Sequence, residues 1–284
     1  LLAQQRVERH AAELALLGIA LFLSIPTSNL LAGLGIGGLA LAFASRETLS
    51  NVFGAGILGG AQSDLLAVPA ADFQLLPIPD GIDTEEALLL TDNLATGWAG
   101  AQRADVPPGG TVVVYGLGAV GLCALRSAIV QGAGQIFAVD PVEGRRDRAA
   151  LWGATPLAPP ALGAVLEATG GRGAASVIDA VASDATLTEA LTVVRPGGTV
   201  SVIGVHDLNP FPFPATMSLV RSVSMRLTTA PVQRTWPQLI PLIQSGRLDT
   251  SGIFTDSMPL ADAPAAYAKV ASRSADCVKI ALQV

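Results

Sequence analysis

TVVVYGLGAVGLCALRSAIVQGAGQIFAVD, residues 111–140, carries the strongest structural signal in the chain. It opens on a run of β-branched residues suited to a buried strand, breaks at a glycine cluster, and continues as an apolar helical run through Val130. QIFAV, residues 135–139, then supplies a second strand ending at Asp140. In GLGAVG, Gly116 allows a tight turn, Gly118 lets a diphosphate approach the backbone, and Gly121 lets helix and strand pack closely. The amino end of the helix would face the anion. Asp140 stands where a carboxylate accepts hydrogen bonds from the adenosine ribose hydroxyls and repels a 2′-phosphate, which favours NAD over NADP. A solvated strand-end carboxylate and an ordinary strand-to-helix turn are the plainer alternatives. Arg145 and Arg146 qualify the preference, because an arginine there could hold a 2′-phosphate, although both more simply face water on the next helix.

The alternation continues outward from this unit. SVIDAV at 176–181 reads as a strand and residues 184–194 as a helix; Pro196, Gly197 and Gly198 make a turn before the strand TVSVIGV. Repeated units of this length predict an α/β fold, a doubly wound parallel (Rossmann) sheet with right-handed crossovers.

Half of the 284 residues are hydrophobic and 14% are charged, so core material is ample. A net charge of −6 with no Lys/Arg run gives nucleic acid no reason to bind. Two cysteines, Cys123 and Cys277, make neither a disulfide framework nor a four-cysteine zinc site. His206 follows SVIGV near the carboxyl edge of the sheet, as a cofactor contact or a partly exposed loop residue.

The first sixty residues differ in kind. No charged residue lies between Glu13 and Arg46, an interval that asks for lipid or deep burial. Pro26, followed by Thr27, Ser28 and Asn29, divides it into two apolar helices. Arg6, Glu8 and Arg9 give no clean basic leader, which argues against a secretory signal. The glycines at 33, 35, 37 and 38 suit close packing between membrane helices, hence a homo-oligomer. Membrane contact is therefore expected over residues 11–57, with a cytoplasmic soluble part.

LLAGLGIGGLALAFASRETLSNVFGAGI, residues 30–57, resembles the pore-lining helix of the small-conductance mechanosensitive channel family. The resemblance implies a membrane segment over 1–59. The remainder resembles the zinc-dependent alcohol dehydrogenase branch of the medium-chain dehydrogenase/reductase family. Its marks are AVPAADFQLLPIPDGIDTEEALLLTDNLATGW at 67–98, GLGAVG, VRPGGTVSVIGV at 194–205, and PLADAPAAYAKVASRSADCVKIALQV at 259–284. It implies hydride transfer between an alcohol and NAD, with a catalytic zinc. It divides residues 60–284 into a catalytic-domain remnant, 60–95 plus 250–284, and a dinucleotide-binding domain, 96–249. It also implies that Asp92 occupies a zinc-ligand position, that Thr96 touches the nicotinamide end, and that Lys279 contacts the diphosphate. By chemistry alone, Asp92 is equally a helix-terminal acid satisfied by Ser/Thr neighbours, and Lys279 a solvated strand residue. The family's other zinc ligands and its proton relay are not in the sequence, and Asp92 by itself cannot hold zinc, so catalysis is expected to be impaired. The halves meet near residues 54–60, as a fusion or a nonfunctional chimera, and apolar faces of 61–90 are expected to be exposed.

Overall fold

The structure, a computed structural model, describes residue 68 and residues 71–284 apart from Leu208. The channel-like helices over 1–59 and the lipid contact over 11–57 lie outside the described residues. Among the described residues, no helix is long and apolar enough to cross a membrane.

Strand β1, Thr111–Tyr115, is buried along almost its whole length. Its alternate side chains feed separate cores: Val112 and Val114 pack on one face of the sheet, Val113 and Tyr115 on the other. A central parallel strand needs this continuous apolar run because helices cover both of its faces. β2 (Gln135–Val139), β3 (Thr155–Leu157), β4 (Ala174–Asp179), β5 (Val194–Val202) and β6 (Ser224–Leu227) complete one sheet in the order β3-β2-β1-β4-β5-β6. All five pairings are parallel. The order reverses direction between β1 and β4, and the crevice at the carboxyl ends of those strands is where such folds take ligands.

The sequence places the first two strands to the residue, but not the fifth. Val194 already pairs with Ala174, the ladder slips in register, and it resumes at Ser176 with Thr199, so the Pro196–Gly198 turn is a bulge within β5 rather than its start. β5 also stops at Val202, three residues short of the expected end.

Helices α1 (Ala71–Gln74), α2 (Thr84–Leu90) and α3 (Asn93–Arg103) precede the sheet. α2 starts with a reciprocal cap: the Glu86 amide donates to the Asp83 carboxylate at 2.8 Å and the Asp83 amide to Glu86 at 2.9 Å. Leu89, Leu90 and Leu94 share a core with Leu122 and Leu125 of α4 (Ala119–Val130) and with Leu239 and Ile243 of a late helix, Val232–Gln244. α3 lies so close to α4 that a Cβ at Gly97 would meet the Ala124 amide nitrogen at 2.5 Å. The indole of Trp98 donates to Gln238 at 2.8 Å, and that of Trp236 to the Leu90 carbonyl at 3.1 Å. Leu75, Leu76, Ile78 and Leu88 are exposed.

Along the chain follow α5 (Glu143–Leu151), α6 (Leu162–Ala168), α7 (Asp184–Val193), α8 (Ala215–Val220), α9 (the Val232–Gln244 helix) and α10 (Ala263–Ala271). β7 (Asp256–Pro259) and β8 (Ile280–Gln283) form a separate parallel pair.

Candidate dinucleotide-binding site

The glycine turn is built by three different constraints. Gly116 has φ +82°, a left-handed conformation in which its amide donates to the Val139 carbonyl at 2.8 Å, tying β1 to β2. A Cβ on Gly121 would lie 1.7 Å from the Gly116 carbonyl oxygen, so α4 can start under the turn only if that residue is glycine. At Gly118 the reverse holds, since a Cβ there would meet nothing within 4 Å. α4 begins at Gly118 without a side-chain cap, so its first amides keep their donors for a ligand, and the helix dipole favours an anion there.

Asp140 is buried at the end of β2. Its Oδ2 accepts from the Leu117 amide at 2.7 Å, inside the glycine turn, and its Oδ1 from the Val142 amide at 2.8 Å. Each oxygen keeps a lone pair, so the carboxylate can still accept from a diol. Neither arginine faces water as expected from the sequence. Arg145 reaches within 3.9 Å of Asp140 and is mostly buried, while Arg146 donates to the carbonyls of Asp140 at 2.8 Å and Pro141 at 2.9 Å.

Gly116, Gly118, Gly121 and Asp140 line one cleft of about 590 Å³ at the β1/β4 crevice. The same cleft is lined by residues the sequence reading did not select: Tyr115, Thr186, Glu189 and Arg273. Behind the lining, at the end of β4, Asp179 is fully buried and its Oδ2 has no hydrogen-bond partner. Burial pushes the Tyr115 phenol up, and the carboxylates of Glu189 and Asp179 push it further. Burial raises Asp179 as well, against the Ala182 and Val181 amides that donate to its Oδ1, each at 2.9 Å. The signal that could have found Asp179 is an acid closing an otherwise apolar strand.

The remaining candidates lie elsewhere. Asp92 is exposed at the start of α3 and does not cap the helix; its Oδ1 accepts from the Thr96 hydroxyl at 2.9 Å and its Oδ2 from Asn93 at 3.1 Å. Lys279 is half-buried just ahead of β8, with its ammonium 5.5 Å from the centre of the Phe254 ring. Burial lowers its pKa, and the Asp92 carboxylate opposes that shift, which brings Lys279 into the neighbourhood of the α3 amino end. Neither Thr96 nor Lys279 lines the cleft. Burial pushes the Cys123 thiol up, so it is an inert core group, and Cys277 is also buried, ahead of β8 rather than within it. His206 is held between the Asp184 carboxylate at 2.8 Å and the Asp207 carbonyl at 2.9 Å; the Asp184 bond raises its pKa.

The family's zinc does not fit what is assembled here. Among the described residues, no three of His, Cys, Asp and Glu converge as metal ligands, and Asp92 has neither a second acid nor an imidazole beside it. A catalytic zinc needs three protein ligands.

Comparison with known proteins fits this geometry. Residues 119–245 match the zinc-binding dehydrogenase family model. A probable zinc-binding alcohol dehydrogenase of Mycobacterium tuberculosis is 65% identical over 232 residues, covering 82% of this chain and 60% of that protein. The matched range holds Gly121, Asp140 and Glu189 of the cleft, so this part of the chain is similar to the zinc-binding medium-chain alcohol dehydrogenases. An alcohol dehydrogenase of Cupriavidus necator is 33% identical, over 80% of this chain and 64% of that one. The alcohol dehydrogenase TADH from Thermus sp. ATN1 superposes with a TM-score of 0.76 at 36% identity, covering 80% of this chain and 66% of that chain. The chain thus spans about 60% of the length of the Mycobacterium relative. Residues 14–46 match a second model, mechanosensitive ion channel transmembrane helices 2/3.

Proposed function

We propose that this chain is a zinc-type alcohol dehydrogenase-like oxidoreductase whose described body binds NAD(H). The observation that carries the reading is the pairing of the open space over Gly118, at uncapped helix amides, with a buried Asp140 tied to the same turn at 2.7 Å. The amides suit a diphosphate and the carboxylate suits a vicinal diol, which are adjacent groups of one dinucleotide. When bound, that cofactor supplies the hydride acceptor or donor, and the residues here hold and orient it. Asp140 opposes a 2′-phosphate, and Arg145, 3.9 Å from it, is already balanced by that carboxylate, so NAD is preferred to NADP. The names of the relatives point to an alcohol as substrate. Thr96 at the nicotinamide end and Lys279 toward the diphosphate extend the same reading, Lys279 supported by its charge interaction with Asp92 at α3. The domain division, 60–95 plus 250–284 against 96–249, follows that family reading. Asp92 without companions supports no zinc step.

The test is a fluorescence titration of the full chain with NADH and NADPH. Saturable binding of NADH, tighter than NADPH, is expected; the absence of binding to either overturns the proposal.

A second reading, membrane attachment through residues 11–57, is favoured by the channel-model match at 14–46 and the uncharged interval. Recovery of the full chain with membranes after alkaline washing supports it, and recovery in the supernatant rejects it.

A further inference from the structure

We propose that Glu189 is the acceptor for the exocyclic amino group of the adenine ring, making the cleft selective for a 6-amino over a 6-oxo purine dinucleotide. This rests on the dinucleotide reading above and adds to it a base-reading residue. The cleft does not end at Asp140. It continues between Pro141, Val142 and Pro159 on one side and Val181 and Ala185 on the other, an apolar slot of the kind a flat base fills. Helix α7 gives the lining Thr186 and Glu189, with Ser183 ahead of that helix, and the same cleft is lined by Tyr115 and by the donors Arg145 and Arg273. Ser183 and Thr186 satisfy each other in the capping box of α7.

Glu189 differs from them because it is a carboxylate fixed by backbone amides with no cation paired to it among the described residues. Its Oε1 accepts from the amides of Ala161 and Leu162, in the segment that follows β3, so the carboxylate is oriented by backbone from across the cleft. Among the described residues no arginine or lysine pairs with it, and a carboxylate bonded to two amides through one oxygen keeps lone pairs for a ligand. The Tyr115 hydroxyl lies close enough to this carboxylate to be raised by it, after burial, so Glu189 faces the floor of the cleft. A carboxylate presents acceptors only. An adenine amino group arriving in the slot donates to it, whereas the 6-oxo group of hypoxanthine sets a lone pair against a negative charge.

The test titrates the full chain with NADH and with reduced nicotinamide hypoxanthine dinucleotide, in the wild type and in Glu189→Gln. The amide keeps an acceptor for Ala161 and Leu162 and can donate to a 6-oxo group. Wild type is expected to prefer NADH by about tenfold or more, and Glu189→Gln to narrow that preference to within about threefold. Because the readout is a ratio within each protein, loss of stability in the variant does not imitate it. Equal binding of both dinucleotides by wild type overturns this inference and leaves the cofactor reading standing; so does an unchanged ratio in Glu189→Gln. Binding of neither by wild type overturns the cofactor reading, and this inference with it.

Discussion

The glycine turn and the α3 amino terminus sit on neighbouring helices, yet they are built on opposite principles. Around Gly116–Gly121 the functional groups are backbone amides, and one carboxylate, Asp140, is tied by 2.7 Å and 2.8 Å hydrogen bonds into the turn it serves. Around Asp92 the groups are side chains alone, and the carboxylate is occupied by Thr96 and Asn93 of its own helix. A backbone site is complete once its local segment folds. A metal site needs side chains brought from far apart, and at Asp92 none converge among the described residues. The first region is thus a site by geometry, and the second is one by resemblance only.

The contrast breaks most visibly at Gly121. Placing a methyl group 1.7 Å from the Gly116 carbonyl forces α4 away from β1, so Gly121→Ala is expected to cost about 3 kcal/mol or more and to abolish NADH binding. Denaturant unfolding together with NADH titration checks it; a variant of native stability that still binds would mean the turn is looser than described. Asp140→Asn comes next. It keeps one acceptor but loses the charge and offers Leu117 or Val142 a donor in place of an acceptor, so NADH affinity should fall by about 10- to 100-fold. NADPH affinity should fall less, because the repulsion of a 2′-phosphate is also removed. An NADH-to-NADPH ratio unchanged from wild type would remove Asp140 from ribose recognition.

Asp92→Ala should do far less. Its bond to Thr96 lies at the surface end of a helix, so a change in stability under about 1 kcal/mol and NADH affinity within about twofold of wild type are expected. Zinc content measured by atomic emission should be the same in both proteins. A drop in bound zinc in the variant would show that Asp92 has ligand partners after all and would erase the contrast.

What the sequence revealed follows the same division. Residues 111–140 were legible because strand period, glycine constraints and the terminal acid are local properties, and β1, β2 and α4 fall where that reading put them. The bulge in β5 was not, since Val194 joins the ladder through its pairing with Ala174, which no local pattern announces. Arg146 reads as a solvated helix residue until the carbonyls of Asp140 and Pro141 are seen beneath it. Glu189 and Arg273 carry no motif; α7 and the segment after α10 reach the cleft only through tertiary packing.

The smallest expected effect concerns a site that is neither backbone nor metal, the His206–Asp184 pair at the carboxyl edge of the sheet. The Asp184 hydrogen bond is the main reason the His206 pKa is raised, with the Asp207 carbonyl second. A histidine whose folded pKa lies above its unfolded value adds stability that is fully present below the unfolded value, 6.5, and is lost as pH rises through the folded one. Asp184→Asn should therefore lower the His206 titration midpoint toward 6.5 in an NMR titration and flatten the pH dependence of unfolding just above that value. NADH affinity should stay within about twofold, because neither residue lines the cleft. An unmoved midpoint would show that Asp184 does not set the charge of His206. A large loss of NADH affinity would instead bring this loop histidine into the cofactor site, as a side-chain contact the backbone-built cleft does not require.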